Sequence, residues 1–168
     1  IGRDGLSTPI RYTIERNNVH VASVRSAFVE DSIAYIVVDR IARGSAREVD
    51  DAIRSLEGAT GVVVDLRRNP GGYLDESLLL ADLFIPVGQK IASTRNRAVR
   101  EQGESEEEYG ARIPPRLDDT PIVILVDRYT ASAADIISGA LQDHDRAVVL
   151  GERTFGKGVV QTLLPLPA

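Results

Sequence analysis

The sequence contains no cysteine, and this absence excludes several kinds of chemistry at once. Disulfide bonds, thiolate nucleophiles and cysteine metal sites all require that residue. The redox compartment stays open, because a protein without thiols is compatible with either environment. Histidine is nearly absent as well, since only His20 and His144 are present. Candidates for a catalytic base are therefore few.

Lysine is the scarce basic residue of this chain. Of the 20 basic residues only Lys90 and Lys157 are lysines, and the other 18 are arginines. Arginine keeps its proton in proteins, whereas a desolvated lysine can lose it. A lysine placed between Gly156 and Gly158 is therefore a candidate for acid–base chemistry.

Two further absences narrow the class of protein. No run of eighteen apolar residues exists, so no segment is predicted to span a membrane. The net charge is −5 and the arginines are scattered, which argues against a nucleic-acid partner. No signal peptide is predicted within these residues, and this carries little weight because a chain that starts at Ile1 is expected to be trimmed. The 168 residues, 43% of them hydrophobic, predict one compact domain.

Apolar runs alternate with helical patterns along most of the chain. Strands are predicted at 10–16, 19–24, 33–38, 61–66, 90–94, 121–126, 147–150 and 159–164, and helices at 45–56, 74–83 and 132–144. This order predicts an α/β fold with a largely parallel sheet and right-handed crossovers. Residues 95–117 are a polar excursion, predicted to be either a mobile flap or a solvated acidic loop.

Three loops follow the predicted parallel strands, at residues 67–72, 129–132 and 151–158. Active sites of such sheets lie at the carboxyl ends of the strands and in the loops after them. Because all three loops are predicted to lie at the same edge, that edge is the expected functional site.

Ser132 begins the helix that follows one of these strands. With Asp135 three residues later it matches a capping box, so a helix N-cap is the simplest interpretation. The same position places the hydroxyl beside unpaired backbone N–H groups and the positive end of the helix dipole. Such groups would hold the oxyanion of a tetrahedral intermediate, and the Ala133 N–H would be one donor.

Lys157 is the remaining candidate base for Ser132. His144 lies at the far end of the predicted helix, roughly 18 Å away at 1.5 Å per residue. Serine–lysine pairs are a known variant of the catalytic triad. A lysine accepts a proton only in its neutral form, and burial favours that form. Phe155 and residues 159–160 are expected to provide the apolar cover that buries the Lys157 amine. The alternative for Gly-Lys-Gly is an exposed turn.

Two other features accompany this pair. Gln161 lies four residues after Lys157 and would orient the lysine amine if 159–164 is a strand. The alternative is a glutamine on the protein surface. Residues 69–72, Asn-Pro-Gly-Gly, form either an anion-binding nest of backbone N–H groups or a simple tight turn.

Four motifs, taken in order, resemble the carboxyl-terminal processing proteases, also called tail-specific proteases or peptidase family S41. They are residues 61–72, 130–136, 139–143 and 151–161. The resemblance covers about residues 19–164. It implies a serine–lysine endopeptidase on a ClpP/crotonase-like α/β core.

The resemblance also assigns roles to particular residues. It places the nucleophile on Ser132, the general base on Lys157 and a lysine-orienting glutamine on Gln161. It places the oxyanion hole on the backbone of Ala133 and of the glycine pair, of which Gly71 is preferred. It implies no metal and no cofactor.

The resemblance further implies what surrounds this core. Residues 1–18 are expected to be the remnant of a PDZ domain or a linker strand, and residues 19–168 a protease core truncated at its C-terminus. The expected partners are protein or peptide substrates, with a regulatory PDZ domain and self-association into a homo-oligomer left open. The expected location is extracytoplasmic, in the periplasm or cell envelope. The alternatives are a catalytically silent binding or scaffold module and a crotonase-type acyl-CoA enzyme.

Overall fold

The structure, a computed structural model, describes residues 4–5, 7–8, 10–17, 19–30, 32–95, 106–117 and 119–161. Its elements are β1 (Val24–Val29), β2 (Ile33–Val38), α1 (Ser45–Ser55), β3 (Gly61–Asp65), α2 (Leu74–Asp82), β4 (Lys90–Arg95), β5 (Glu106–Gly110), β6 (Ile122–Val126), α3 (Ala133–Asp143) and β7 (Val148–Gly151). Within these ranges no helix combines the length and the apolar character that crossing a membrane requires.

Five strands form the main sheet in the order β1-β2-β3-β6-β7. Within this sheet β2, β3, β6 and β7 are parallel to one another, and β1 pairs antiparallel with β2 at one edge. Parallel neighbours need long crossover connections, which contain α1, α2 and α3 in turn. The predicted α/β fold with a largely parallel sheet is therefore confirmed.

The core lies between the central strands and the three helices. Ile36 on β2, Val64 on β3 and Ile124 on β6 are almost completely buried, and so are Leu80 on α2 and Ile137 on α3. Burying each such side chain contributes about 1.5–3 kcal/mol. The helix α2 packs between α1 and α3, so the start of α3 is held by the main core.

The strand predictions at the two ends of the chain are wrong in part. Residues 10–16 form no strand, and the strand expected at 19–24 starts only at Val24. Residues 159–161 are not in a strand either, and residues 162–164 lie outside the described ranges. Alternation of apolar and polar side chains is not sufficient for a strand, because the backbone N–H and C=O groups must also find a neighbouring strand to pair with. Ile14, for example, is 84% exposed.

The polar excursion at 95–117 contains a strand that its composition did not predict. β5 pairs antiparallel with β4 to form a separate two-stranded sheet. An ion pair of 3.0 Å joins Arg95 Nη2 to Glu106 Oε2 across the two strands. After the hairpin, the Asp82 carboxylate accepts the Arg112 N–H at 2.8 Å, which fixes the returning chain to α2. The rest of the excursion, residues 96–105, lies outside the described residues.

The first turn of α1 is held by a side chain from α2. The Glu76 carboxylate accepts the Gly44 N–H at 2.8 Å and the Ala46 N–H at 3.3 Å. These N–H groups have no partner within their own helix, and a negative charge there interacts favourably with the helix dipole. Glu76 therefore joins two of the three core helices.

We expect Glu76→Ala to lower the free energy of unfolding by about 1–3 kcal/mol, because it leaves the buried Ala46 N–H and the half-buried Gly44 N–H unpaired. Urea denaturation would measure the loss. Glu57→Ala is the matched control, since Glu57 is exposed and should change stability by less than about 0.5 kcal/mol. Equal losses in the two variants would contradict the assigned role.

Candidate active site

The loops after β3, β6 and β7 meet at one edge of the sheet, as predicted. The Ala131 N–H donates to the Asn69 carbonyl at 2.9 Å, which joins the first loop to the second. The Phe155 N–H donates to the Thr130 carbonyl at 2.9 Å, which joins the second to the third. The loop that carries Ser132 is thus held between the other two.

Ser132 has a strained backbone. Its φ is 59° and its ψ is −117°, directly before the first residue of α3. A positive φ is uncommon for a residue with a side chain, and such strain costs about 1–3 kcal/mol. It persists only where surrounding contacts impose it, and it is concentrated at functional sites. The sequence could not show it, because a relaxed N-cap serine has the same sequence pattern.

Thr130 is one of the residues that impose this turn. Its side chain is fully buried, and its Oγ1 donates to the Leu66 carbonyl at 2.8 Å. The same oxygen accepts the Asp127 N–H at 3.0 Å. The turn before Ser132 is therefore tied to the end of β3. Thr130 was not identified from the sequence, where it is one more small polar residue in a loop.

Asn69 is the second such residue, and it too was missed. Its side chain is fully buried, and its Nδ2 donates to the Val38 carbonyl at the end of β2 at 2.7 Å. Its Oδ1 accepts the Gly71 N–H at 2.8 Å. Together with the bond to Ala131, these contacts connect three chain segments. A polar residue between a buried strand and Pro-Gly-Gly was the available signal.

Gly71 lies directly against the turn that carries Ser132. Its φ is 89°, and a methyl group added to it would lie 2.5 Å from the Ala131 oxygen and 2.8 Å from the Ala133 nitrogen. Only glycine fits this contact. Its role as an oxyanion donor stays a prediction, because in this conformation its N–H is engaged by Asn69.

The first turn of α3 combines a carboxylate with unpaired N–H groups. Asp135 Oδ2 accepts the Ser132 N–H at 2.5 Å, so this part of the predicted capping box is confirmed. Ala133 is the first residue of the helix. Among the described residues no acceptor binds the Ala133 N–H, and it therefore stays a candidate oxyanion donor.

One cavity of about 350 Å³ brings most of the predicted site residues together. Ser132, Ala133, Lys157 and Gln161 all contribute to its lining. Gly71 does not line it, but its neighbour Gly72 does. The full lining is Gly72, Tyr73, Leu74, Ala92, Ser93, Thr94, Ser132, Ala133, Ile136, Lys157, Gly158, Val159, Val160 and Gln161.

The apolar cover expected over Lys157 is not present in this conformation. Lys157 and Gln161 are exposed, and Phe155 is 70% exposed. Within the described ranges no hydrogen bond joins Ser132 Oγ to Lys157 Nζ. The reason is that, among the described residues, none covers the segment after β7, where Val159 and Val160 are exposed as well.

A buried carboxylate fixes the point where the first loop leaves β3. Asp65 accepts the Tyr35 hydroxyl at 2.5 Å and Arg67 Nη2–H at 2.7 Å. Burial raises the pKa of the Asp65 carboxyl, but its hydrogen bonds from Arg67 and Tyr35 outweigh burial and hold the pKa below its ordinary value. A charged residue that ends an otherwise apolar strand was the sequence signal, and its role was not recognised.

These features define a class of protein: a parallel α/β domain with a strained serine at a helix N-terminus, facing a cavity that also holds a lysine. Residues 32–168 match the model described as peptidase family S41. The chain therefore belongs to peptidase family S41, and the resemblance drawn from its motifs is confirmed.

Relatives from two bacteria agree with this assignment. The chain is 35% identical over 172 aligned positions to a carboxy-terminal-processing protease of Bartonella bacilliformis, with 99% of this chain and 38% of the relative covered. It is 36% identical over 156 positions to a carboxy-terminal processing protease of Bacillus subtilis, with 91% and 32% covered. The chain thus spans less than two fifths of the length of these relatives.

Solved structures show the same fold. A photosystem II D1 C-terminal processing protease superposes with a TM-score of 0.73 at 27% identity, over 88% of this chain and 41% of that one. A structure described as a putative S41 protease from Bacteroides fragilis superposes with a TM-score of 0.69 at 20% identity, over 86% of this chain and 41% of that one. The second similarity supports the fold alone.

We expect Gly71→Ala to slow the reaction of Ser132 with a fluorophosphonate probe by about 100-fold or more, because the added methyl displaces the Ser132 turn. Gly88→Ala is the matched control. Gly88 has a similar φ of 84°, but a methyl group there meets nothing within 4 Å. Equal labelling rates in the two variants would show that the Gly71 contact does not set the site geometry.

The lowered pKa of Asp65 predicts a pH dependence of stability. A depressed pKa stabilises the fold fully above the ordinary aspartate value of about 3.9, and this contribution is lost as the pH falls through the folded-state value. Asp65→Asn should therefore be less stable than wild type at neutral pH, and the difference should shrink on acidification. Urea unfolding between about pH 3 and 6 would measure it. A difference that stays constant over this range would contradict the prediction.

Proposed function

We propose that this chain carries the catalytic centre of a serine endopeptidase in which Ser132 is the nucleophile and Lys157 the general base. One observation carries the proposal: a strained serine at a helix N-terminus lines the same cavity as a lysine and a glutamine. A nucleophile beside a base and beside unpaired N–H groups is the arrangement that acyl transfer requires.

The first chemical step is attack on the scissile carbonyl. Neutral Lys157 Nζ accepts the proton of Ser132 Oγ as that oxygen bonds to the carbonyl carbon. Negative charge then develops on the carbonyl oxygen, and the Ala133 N–H donates to it. The Gly71 N–H is the proposed second donor, and it would have to exchange Asn69 Oδ1 for the oxyanion.

The second step expels the amine. The tetrahedral intermediate collapses, the carbon–nitrogen bond breaks, and Lys157 returns its proton to the leaving nitrogen. The acyl group is now an ester of Ser132. Water, deprotonated by Lys157, attacks this ester, the bond from the acyl carbon to Ser132 Oγ breaks, and Lys157 returns the proton to that oxygen. The product leaves as a carboxylic acid, which ionises in solution.

Substrate binding supplies the cover that Lys157 lacks in this conformation. A peptide lying in the cavity displaces water from the lysine and favours its neutral form. Gln161 lines the same cavity and would accept or donate a hydrogen bond that orients the amine. The exposed segment 157–161 is therefore proposed to become ordered on the substrate.

The proposed substrates are proteins cleaved near their C-termini or in unstructured segments. The names of the relatives, carboxy-terminal processing proteases, support this choice. The lining of the cavity supports it as well, because it combines residues 92–94 of strand β4 with the exposed residues 157–161. An unfolded peptide can place its backbone in such a cavity. The backbone of a folded protein is already engaged in its own secondary structure.

We expect Ser132→Ala, Lys157→Ala and Lys157→Arg in the full-length protein each to lower kcat by about 1000-fold or more, because each removes a group that acts in the transition state. Arginine fails as a base because it stays protonated. Cleavage of an unfolded protein substrate would measure kcat, and mass spectrometry would locate a fluorophosphonate on Ser132.

Lys90→Arg is the matched control for the lysine variants. Lys90 is the other lysine of the chain, and its exposed amine lies 3.4 Å from Glu108 on the hairpin. Activity should be retained in this variant. Retained activity in Lys157→Arg would refute the serine–lysine pair. Failure of the wild type to react with the probe or to cleave any substrate would favour the silent scaffold.

A further inference from the structure

The carboxylate of Asp135 binds three backbone N–H groups from two loops. Its Oδ2 accepts the Ser132 N–H at 2.5 Å and the Lys157 N–H at 3.0 Å. Its Oδ1 accepts the Gly156 N–H at 3.3 Å. The carboxylate therefore touches the residues proposed as nucleophile and base, through their backbones.

We propose that Asp135 is a positioning residue that sets the backbone of Lys157 relative to Ser132. Its kinetic consequences rest on the proposed function. In a capping box the carboxylate at N3 pairs with one backbone group, here the Ser132 N–H. The two bonds to Gly156 and Lys157 go beyond capping, and they point to a second role for the same side chain.

The segment that carries Lys157 has few other attachments. The Glu152 N–H donates to the Val126 carbonyl at 3.2 Å and the Phe155 N–H donates to the Thr130 carbonyl at 2.9 Å. From residue 156 to residue 161, all of which the structure describes, the two bonds to Asp135 are the only hydrogen bonds. Asp135 is thus the last attachment before the lysine side chain.

The space beneath this segment supports the same conclusion. A cavity of about 430 Å³ lies between the segment and α3, with Asp135, Ser138, Gly151, Thr154 and Gly156 among its lining residues. The segment therefore bridges open space instead of packing on the helix. Because side-chain packing does not hold it there, the hydrogen bonds of Asp135 determine its distance from α3.

The rigidity of α3 makes Asp135 suitable for this role. It lies in the first turn of the helix, three residues after Ser132, and α3 is fixed by the fully buried Ile137 and Leu141. Hydrogen bonds to an ionised acceptor are stronger than neutral ones. A misplacement of about 1 Å can reduce a reaction rate by about 100-fold, so the loss of this link should affect kcat.

Asp135→Asn is the most informative variant. Asparagine has one acceptor oxygen, so its amide group would face an N–H where the carboxylate now accepts. Asp135→Glu keeps both acceptor oxygens one methylene further from the backbone. Glu152→Gln is the control, because it removes a negative charge from the same segment, and none of the described hydrogen bonds uses the Glu152 side chain.

Two measurements on the full-length protein test the proposal. Hydrogen exchange of the Gly156 and Lys157 amides should be about tenfold faster or more in Asp135→Asn, and wild-type-like in Glu152→Gln. The kcat of Asp135→Asn should fall about 10-fold to 100-fold, with KM changed less than about threefold. Asp135→Glu should restore part of the slow amide exchange and part of the kcat. A purely capping role would alter thermal stability without this local change in exchange.

Unchanged exchange of the two amides in folded Asp135→Asn would overturn the proposal, whatever happens to the rate. If that variant does not fold, the wild type itself tests the link: its Gly156 and Lys157 amides should exchange about tenfold slower than those of Val159 and Val160, which no described hydrogen bond uses, and equal rates would refute the link. The exchange measurement needs no activity. It therefore tests the contact even if Lys157→Arg stays active and the serine–lysine mechanism fails.

Discussion

The buried amide of Asn69 is the contact on which the rest of the site depends. Its side chain links the end of β2 to the Gly71 N–H, and its carbonyl receives the Ala131 N–H. Three segments from different parts of the sequence thus share one residue that has no access to water. An amide can serve them together because it offers a donor and an acceptor at opposite sides. The close approach of Gly71 to the Ser132 turn follows from this arrangement.

The strands and helices that carry these loops were predictable from the sequence. β3 and β6 are short apolar runs because their faces are buried, and α2 and α3 have long apolar faces because they pack on one another. The order of these elements then placed the three loops at one edge. Ser132 could be chosen because it follows a buried strand and begins a helix, and Lys157 because a chain with no cysteine, two histidines and two lysines offers few other bases of this kind.

What sequence reasoning missed depends on partners from distant parts of the chain. The positive φ of Ser132 is imposed by neighbouring loops, and no local pattern records it. Thr130 and Asn69 look like ordinary loop residues until their buried partners are known. The predicted strand at its described residues 159–161 and the apolar cover over Lys157 were wrong for a related reason. Both required neighbouring structure over the segment after β7, and local alternation of side chains cannot reveal whether such structure is there.

The cavity wall formed by residues 92–94 belongs to the β4–β5 hairpin, a sheet separate from the one that positions Ser132. None of the proposed catalytic groups lies on this hairpin. Side chains on that wall can therefore be replaced without changing the strands and loops that fix the backbone of Ser132. If the proposed mechanism holds, substrate selectivity and reactivity would depend on different sheets, and relatives could diverge in the sequences they accept while sharing a common chemistry.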